Sequence, residues 1–384
     1  MKDGKIVVAR LWHRYGGDIP SRAPIILGID PPKYQTICIY LTKNSEKPNF
    51  FEEKGCKVFY VSRKKFLRIF NPWAVWKLSR ILKHQKVDIL HCHRHKPTVY
   101  GVIAAMLVGT PVVISHVHGI SRAKNLRRKL ANFFIFKRVN KIVTVGEAVR
   151  KDVLKTNPFV QADKVVSIGN SIDCDRYANV SLEKPQAKEA LNLPQDSFVF
   201  GTVARMSPAK GHIHLIRAFA RVKQQIPSAH LVFVGDGRLR NQLEAQAAKT
   251  APESIHFLGR RDDVPELLRA MDVYVHPSIG SEGLPRALLE AMIAGVPCIG
   301  AAVGGIPEII TNNETGFLVP PKNDGALAKA VIKSAKMSEA KRDNLVEKAK
   351  QRVRDLYTHE IVIKKLQRLY EDAYAESQCG NSHL

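Results

Sequence analysis

The sequence has no run of about 18 apolar residues, the length a helix needs to cross a bilayer, so any membrane contact is expected to be peripheral. No apolar signal-peptide core precedes the strand-like Lys5-Ile6-Val7-Val8-Ala9, which makes the cytoplasm the expected location. Cysteine pairs are missing too. Cys38, Cys56, Cys92, Cys174, Cys298 and Cys379 are scattered without a CxxC or a regular interval, which argues against a disulfide framework and a zinc ribbon.

Acidic residues are scarce: 35 Asp and Glu face 60 Lys and Arg, for a net charge of +25. The imbalance is one-sided, since residues 1–180 hold +21 of it. Such a field is expected to draw that half toward polyanions, whether phospholipid headgroups, lipid-linked phosphates or nucleic acid. The other proportions are those of a globular protein, 45% hydrophobic and 25% charged, and 384 residues are too many for one small module.

Short β-branched runs alternate with amphipathic stretches of helix length almost from end to end, the pattern of parallel α/β sheets with crossover helices. Strands are expected at 5–10, 36–41, 57–62, 87–91, 111–115, 140–145 and 165–168, then at 198–204, 229–235, 255–258, 272–276, 297–300 and 316–319. Between the two series, 177–196 holds Pro185 and Pro194 and no buried-strand run. The expected organisation is therefore a basic domain over 1–180, a second domain over 181–360, and a terminal helix over 361–384 that crosses back to the first. Both domains are expected to be doubly wound, with ligands at the carboxyl ends of their strands.

The strongest chemical signal runs from Ser281-Glu282-Gly283-Leu284-Pro285-Arg286 through Glu290-Ala291-Met292 to Gly295-Val296-Pro297 and Gly304-Gly305-Ile306-Pro307-Glu308. Pro285 suits a first helical position and Gly295 a helix stop. The amides of that helix N-terminus are a ready site for a diphosphate, and Glu282 and Glu290 flank it. Taken alone, two such glutamates read equally well as a dipole partner and a solvated side chain. A second motif, Gly201-Thr202-Val203-Ala204-Arg205 with Lys210-Gly211, sets two cations after a strand, where they suit two phosphates or plain solvated surface.

Together these segments resemble the signature of the family 4 (group 1) retaining, nucleotide-sugar-dependent glycosyltransferases, whose two Rossmann-like domains form the arrangement called GT-B. The resemblance implies that Glu282 contacts the donor sugar and Glu290 the ribose hydroxyls, and that Arg205 and Lys210 take the diphosphate. It further implies donor contacts from Gly283, Leu284 and Pro285, from Gly235 in Val234-Gly235-Asp236-Gly237, and from Arg260 after His256-Phe257-Leu258-Gly259. Gly16-Gly17 stands where the family has a glycine-rich loop beneath the donor phosphates, although Trp12, His13 and Arg14 depart from the commoner family sequence.

Histidines gather at strand ends, as His91, His93 and His95 and then His116 and His118. An extended strand would set the first three on one face, which raises a metal site, yet no set at a recognised ligand spacing completes it. The family has Asp-x-x-His-x-His here without metal. By the resemblance His118, before Gly119, stands beside the transferred sugar, and His93 is a weaker candidate. Two stretches mix cations with aromatics: Arg63-Lys64-Lys65-Phe66-Leu67-Arg68-Ile69-Phe70 with Trp73 and Trp76, and Arg127-Arg128-Lys129 with Phe133, Phe134, Phe136, Lys137 and Arg138. They read as an anionic-membrane face or as core aromatics beneath a solvated basic surface.

The expected activity is retaining transfer of a sugar from a UDP- or GDP-sugar to a membrane-associated or glycan acceptor, in lipopolysaccharide or other envelope polysaccharide synthesis. No metal cofactor is expected, because two cations and a helix end occupy the place of a divalent ion. A nucleotide-sugar epimerase of the same architecture is one rival. The other is a basic nucleic-acid-binding protein, for which the sequence has no base-reading motif.

Overall fold

A computed structural model of the chain describes residues 4–15, 23–43, 48–62, 70–120, 126–280 and 282–381. Every expected strand is present, with its ends moved by a few residues. The first sheet holds β1 (Ile6–Arg14), β2 (Tyr34–Thr42), β3 (Lys57–Ser62), β4 (Ile89–His93), β5 (Val112–Val117), β6 (Lys141–Thr144) and β7 (Val165–Ser167). The second holds β8 (Phe198–Val203), β9 (Ala229–Val234), β10 (Ile255–Gly259), β11 (Val273–His276), β12 (Cys298–Ala301) and β13 (Phe317–Val319). All pairings within the sheets are parallel, in the orders β3-β2-β1-β4-β5-β6-β7 and β10-β9-β8-β11-β12-β13.

In both sheets the strand order reverses direction beside the first strand, between β1 and β4 and between β8 and β11. The same brace holds both reversals. Asp88, just before β4, accepts the amide of Val7 at 2.8 Å, and Asp272, just before β11, accepts that of Val199 at 2.8 Å. A doubly wound sheet splays its connecting loops apart at such a point and leaves a crevice over the carboxyl ends of the strands.

The chain forms two compact units, residues 1–171 with 359–384, and residues 172–358. The first unit thus ends nine residues before the expected 180. The short helix Cys174–Ala178, assigned from sequence to the first domain, packs on the helix Arg286–Ile293 of the second. The return falls at 358/359 instead of 360/361, where Ile172 bridges Thr358 and its amide donates to the carbonyl of Tyr357 at 3.0 Å. Beyond it the helix His359–Asn381 buries Val362, Leu366, Leu369, Tyr370 and Ala373, a helical stripe, against Val8, Ile89 and Ile114 of the first sheet. The core of the second unit is built on Phe200, Phe219 and Phe233.

Candidate active site

In the second unit the reversal between β8 and β11 brings together the loop after β8, which carries Arg205 and Lys210, and the loop after β11, which carries Glu282. Lys210 Nζ donates to Glu282 Oε1 at 2.6 Å. Two further donors, which sequence reasoning missed, reach the same oxygen: Ser278 Oγ at 2.5 Å and His276 Nε2 at 3.4 Å. No hydrogen bond among the described residues uses Glu282 Oε2, so that oxygen remains for a ligand hydroxyl.

Burial by itself would raise the Glu282 carboxyl. Hydrogen bonds from His276 and Lys210, together with the charge of Lys210, outweigh it and hold the group well below the usual carboxylate range. Burial also lowers the His276 imidazole, so at neutral pH the ring is uncharged. It then donates through Nε2 to Glu282 while Nδ1 accepts from the Tyr274 hydroxyl at 3.1 Å. Lys210 is accordingly the positive charge that meets Glu282, and Tyr274 and His276 are a neutral brace behind it. Alternating residues of a strand share a face, so Tyr274 and His276 on β11 were a readable signal.

The helix Arg286–Ile293 starts beside this pair, and its N-cap residue, Pro285, makes no side-chain cap. Pro285 is its N-cap residue, with ψ 116°, and not its first helical residue as expected: that extended ψ lets the chain turn in from the loop. Gly283, Leu284 and Pro285 are buried, so the surface they can offer a ligand is largely backbone. Glu290 lies within the helix, its carboxyl raised by burial against the opposing charge of Arg286, whose Nε is 3.9 Å away, a hydrogen bond from Tyr177, and Arg176. Tyr177 and Arg176 come from the helix Cys174–Ala178, the segment that sequence reasoning placed in the other domain.

Arg205 and Arg260 are exposed and have no partner among the described residues, which leaves both guanidiniums available to an anion. Gly235 packs against its own chain. It has φ +131°, and a Cβ there would lie 2.1 Å from the carbonyl oxygen of Ala204. The close approach it permits is to the chain's own backbone, with Met206 N donating to Asp236 O at 2.9 Å, and it fixes the loop that presents Arg205. Gly211 does the same for Lys210: at φ +67°, its Cβ would lie 2.0 Å from the carbonyl oxygen of Pro277. Gly211→Ala is expected to cost about 1–2 kcal/mol from the left-handed backbone alone, with the clash in addition. Thermal unfolding should show the loss, and nucleotide binding should fall with it because the Lys210 and Glu282 loops are forced apart.

In the first unit Gly17 lies outside the described residues. His118 follows β5, half-buried, with Nε2 3.2 Å from His93 Nδ1. The expected face of His91, His93 and His95 is not formed. The strand ends at His93, Arg94 turns at φ +73°, and His95 begins a helix; His116 of the neighbouring β5 takes the third place. Ring nitrogens of His91, His93 and His116 lie within 4.8 Å of one another, within reach of one metal ion. The rings, however, stack: His91 and His93 are 4.6 Å apart and 11° from parallel. A metal sits in the plane of each imidazole that binds it, so stacked parallel rings do not converge on one ion.

Two parallel-sheet units, with cations and carboxylates gathered at the strand reversal of the second, are what the resemblance to the GT-B glycosyltransferases implies. The family profile for glycosyl transferases group 1 matches residues 183–352, and that for glycosyltransferase family 4 matches 37–176. An Escherichia coli UDP-Gal:alpha-D-GlcNAc-diphosphoundecaprenol alpha-1,3-galactosyltransferase is 30% identical over 308 residues, 75% of this chain and 79% of its own length. An N-acetyl-alpha-D-glucosaminyl L-malate synthase from Bacillus anthracis is 26% identical over 79% of this chain and 80% of its own. Among solved structures, Anabaena HepE in complex with UDP superposes with a TM-score of 0.82 at 22% identity, over 96% of this chain and all of its own. The chain belongs to the family 4, group 1 glycosyltransferases.

Proposed function

We propose that the protein is a retaining hexosyltransferase that moves a sugar from a UDP- or GDP-sugar to a lipid-linked or glycan acceptor in envelope polysaccharide or lipopolysaccharide assembly. The observation that carries this reading is the Lys210–Glu282 pair beside the helix that bears Glu290. Lys210, Arg205 and the helix amides stabilise the diphosphate as the bond from the anomeric carbon to phosphate oxygen breaks. Glu282 Oε2 accepts a hydroxyl of the donor sugar, and Glu290 takes the ribose hydroxyls. Gly283, Leu284, Pro285 and Arg260 line the nucleotide. The departing phosphate oxygen takes the acceptor proton on the face it leaves, so configuration is retained, and His118 orients the sugar. These groups supply the charge stabilisation without a metal.

The name of the Escherichia coli relative favours a lipid-linked acceptor. The first unit supports one as well. No helix among the described residues is long and apolar enough to cross a membrane. The helix Pro72–His84, however, exposes Trp73 and Trp76 with Lys77, Arg80 and Lys83 along one side and has no acid. The helix Leu126–Arg138 exposes Leu130 and Phe134 among cations. Exposed aromatic and basic side chains suit an anionic bilayer surface, so the protein sits peripherally on the inner face of the cytoplasmic membrane. Reversing Lys77 and Arg80 to Glu should weaken cosedimentation with phosphatidylglycerol vesicles at least roughly tenfold and leave donor hydrolysis intact.

Incubation with UDP-, GDP- and ADP-sugars, with and without a polyprenyl-diphosphate sugar acceptor, tests the reading. Transfer with the anomeric configuration kept, followed by NMR, supports it. Epimerised nucleotide sugar formed without acceptor, or RNA binding at physiological salt with no nucleotide-sugar binding, overturns it.

A further inference from the structure

His93 is gripped on both faces. Trp12 stacks on one side at 4.7 Å and 7°, and His91 on the other at 4.6 Å and 11°. His91 is tied in turn to the Tyr370 hydroxyl of the C-terminal helix at 2.6 Å and to His116 Nδ1 at 3.2 Å. His118 lies flat on His116, 4.2 Å away and 8° from parallel. The rings are therefore fixed, and the contact between His93 Nδ1 and His118 Nε2 holds one proton between two nitrogens.

Which nitrogen owns that proton follows from the far side of His93. Its Nε2 is buried and has no hydrogen-bond partner among the described residues. Burial and then the neighbouring His91, His116, His118 and Arg10 push its imidazole well below the ordinary histidine range, so the ring has a single proton. No carboxylate is among the groups acting on it. Placing the proton on Nε2 would strand a buried donor. Placing it on Nδ1 makes the hydrogen bond to His118 and leaves only a lone pair unmatched.

We infer that His93 is a positioning residue that donates through Nδ1 to His118 Nε2 and thereby fixes His118 as its Nδ1–H tautomer. The consequence for transfer, which rests on the function proposed for His118, is that Nε2 is withdrawn from proton transfer. The acceptor proton is left to the departing phosphate oxygen.

His93→Phe keeps an aromatic ring in the stack and removes the donor, whereas His93→Asn restores an N–H near the position of Nδ1. Nitrogen-15 NMR of the full-length, histidine-labelled protein reads the tautomer, and the pH profile of kcat/KM with kcat and donor KM reads the effect on transfer. Wild type and His93→Asn should show His118 protonated at Nδ1. In His93→Phe the two tautomers should mix, kcat should fall about tenfold or more with donor KM little changed, and the acid limb of the profile should move to higher pH. Wild-type His118 found as the Nε2–H form, or a His93→Phe variant with unchanged tautomer and profile, overturns the inference. The NMR result stands whether or not transfer is detected, so failure of the relay is separable from failure of the proposed function. If His93→Phe does not fold, wild type and His93→Asn still decide the tautomer.

Discussion

Lys210→Ala is expected to lower sugar transfer by about 10²- to 10³-fold, the scale for removing one preorganised group that meets charge developing in a transition state. The same change should weaken binding of the free nucleoside diphosphate, because the ammonium is proposed as a phosphate partner before and during the reaction. It also leaves Glu282 with only Ser278 and the uncharged His276 to satisfy its carboxylate. The apo protein should therefore lose stability as well, and thermal unfolding without ligand measures that part. Lys210→Arg keeps the charge but not the short contact to Glu282, so it should recover binding more fully than turnover. Transfer at the wild-type rate in Lys210→Ala would remove this residue from the site.

Glu282→Gln is expected to lower kcat by a comparable factor and to leave nucleoside diphosphate affinity within a few-fold, because Glu282 is assigned to the sugar. Its pH signature is distinct. A carboxyl held below its unfolded range contributes stability that is present above that range and is lost as the pH falls toward the folded value. Glu282→Gln should thus flatten the acid side of the stability curve. Glu290 has the opposite sign: its carboxyl is raised, so the folded state holds the proton more tightly and loses stability as the pH rises through the folded value. Glu290→Gln should raise the unfolding temperature at neutral pH, with no gain in acid where the native carboxyl is already protonated. Unfolding followed against pH for both variants checks the two signs in one experiment.

The fold was legible because parallel strands buried on both faces read as near-continuous apolar runs, and all thirteen stand out. Their ends were less so: β1 continues through Trp12 and His13 to Arg14, since aromatic and polar residues at a strand's carboxyl end look like loop. Lys210, Glu282 and Glu290 were nominated from the sequence because their chemistry is carried by a local motif. Tyr274 and His276 share a face of β11, but they and Ser278 were missed because their meeting with Lys210 depends on β11 lying beside β8, which no short segment encodes. Tyr177 was missed for a related reason: a helix of five residues has too little periodicity to show which unit it packs on. The three-histidine face failed at Arg94, where a left-handed turn carries His95 off the strand.

Calorimetric titration of the full-length protein with UDP, GDP and ADP in the presence of EDTA tests the central claim most directly. The account predicts that one of these nucleotides binds with one-to-one stoichiometry without divalent cations, and that Lys210→Ala binds it more weakly. If no nucleotide binds, or if Lys210→Ala binds as tightly as wild type, the crevice between β8 and β11 is not a diphosphate site.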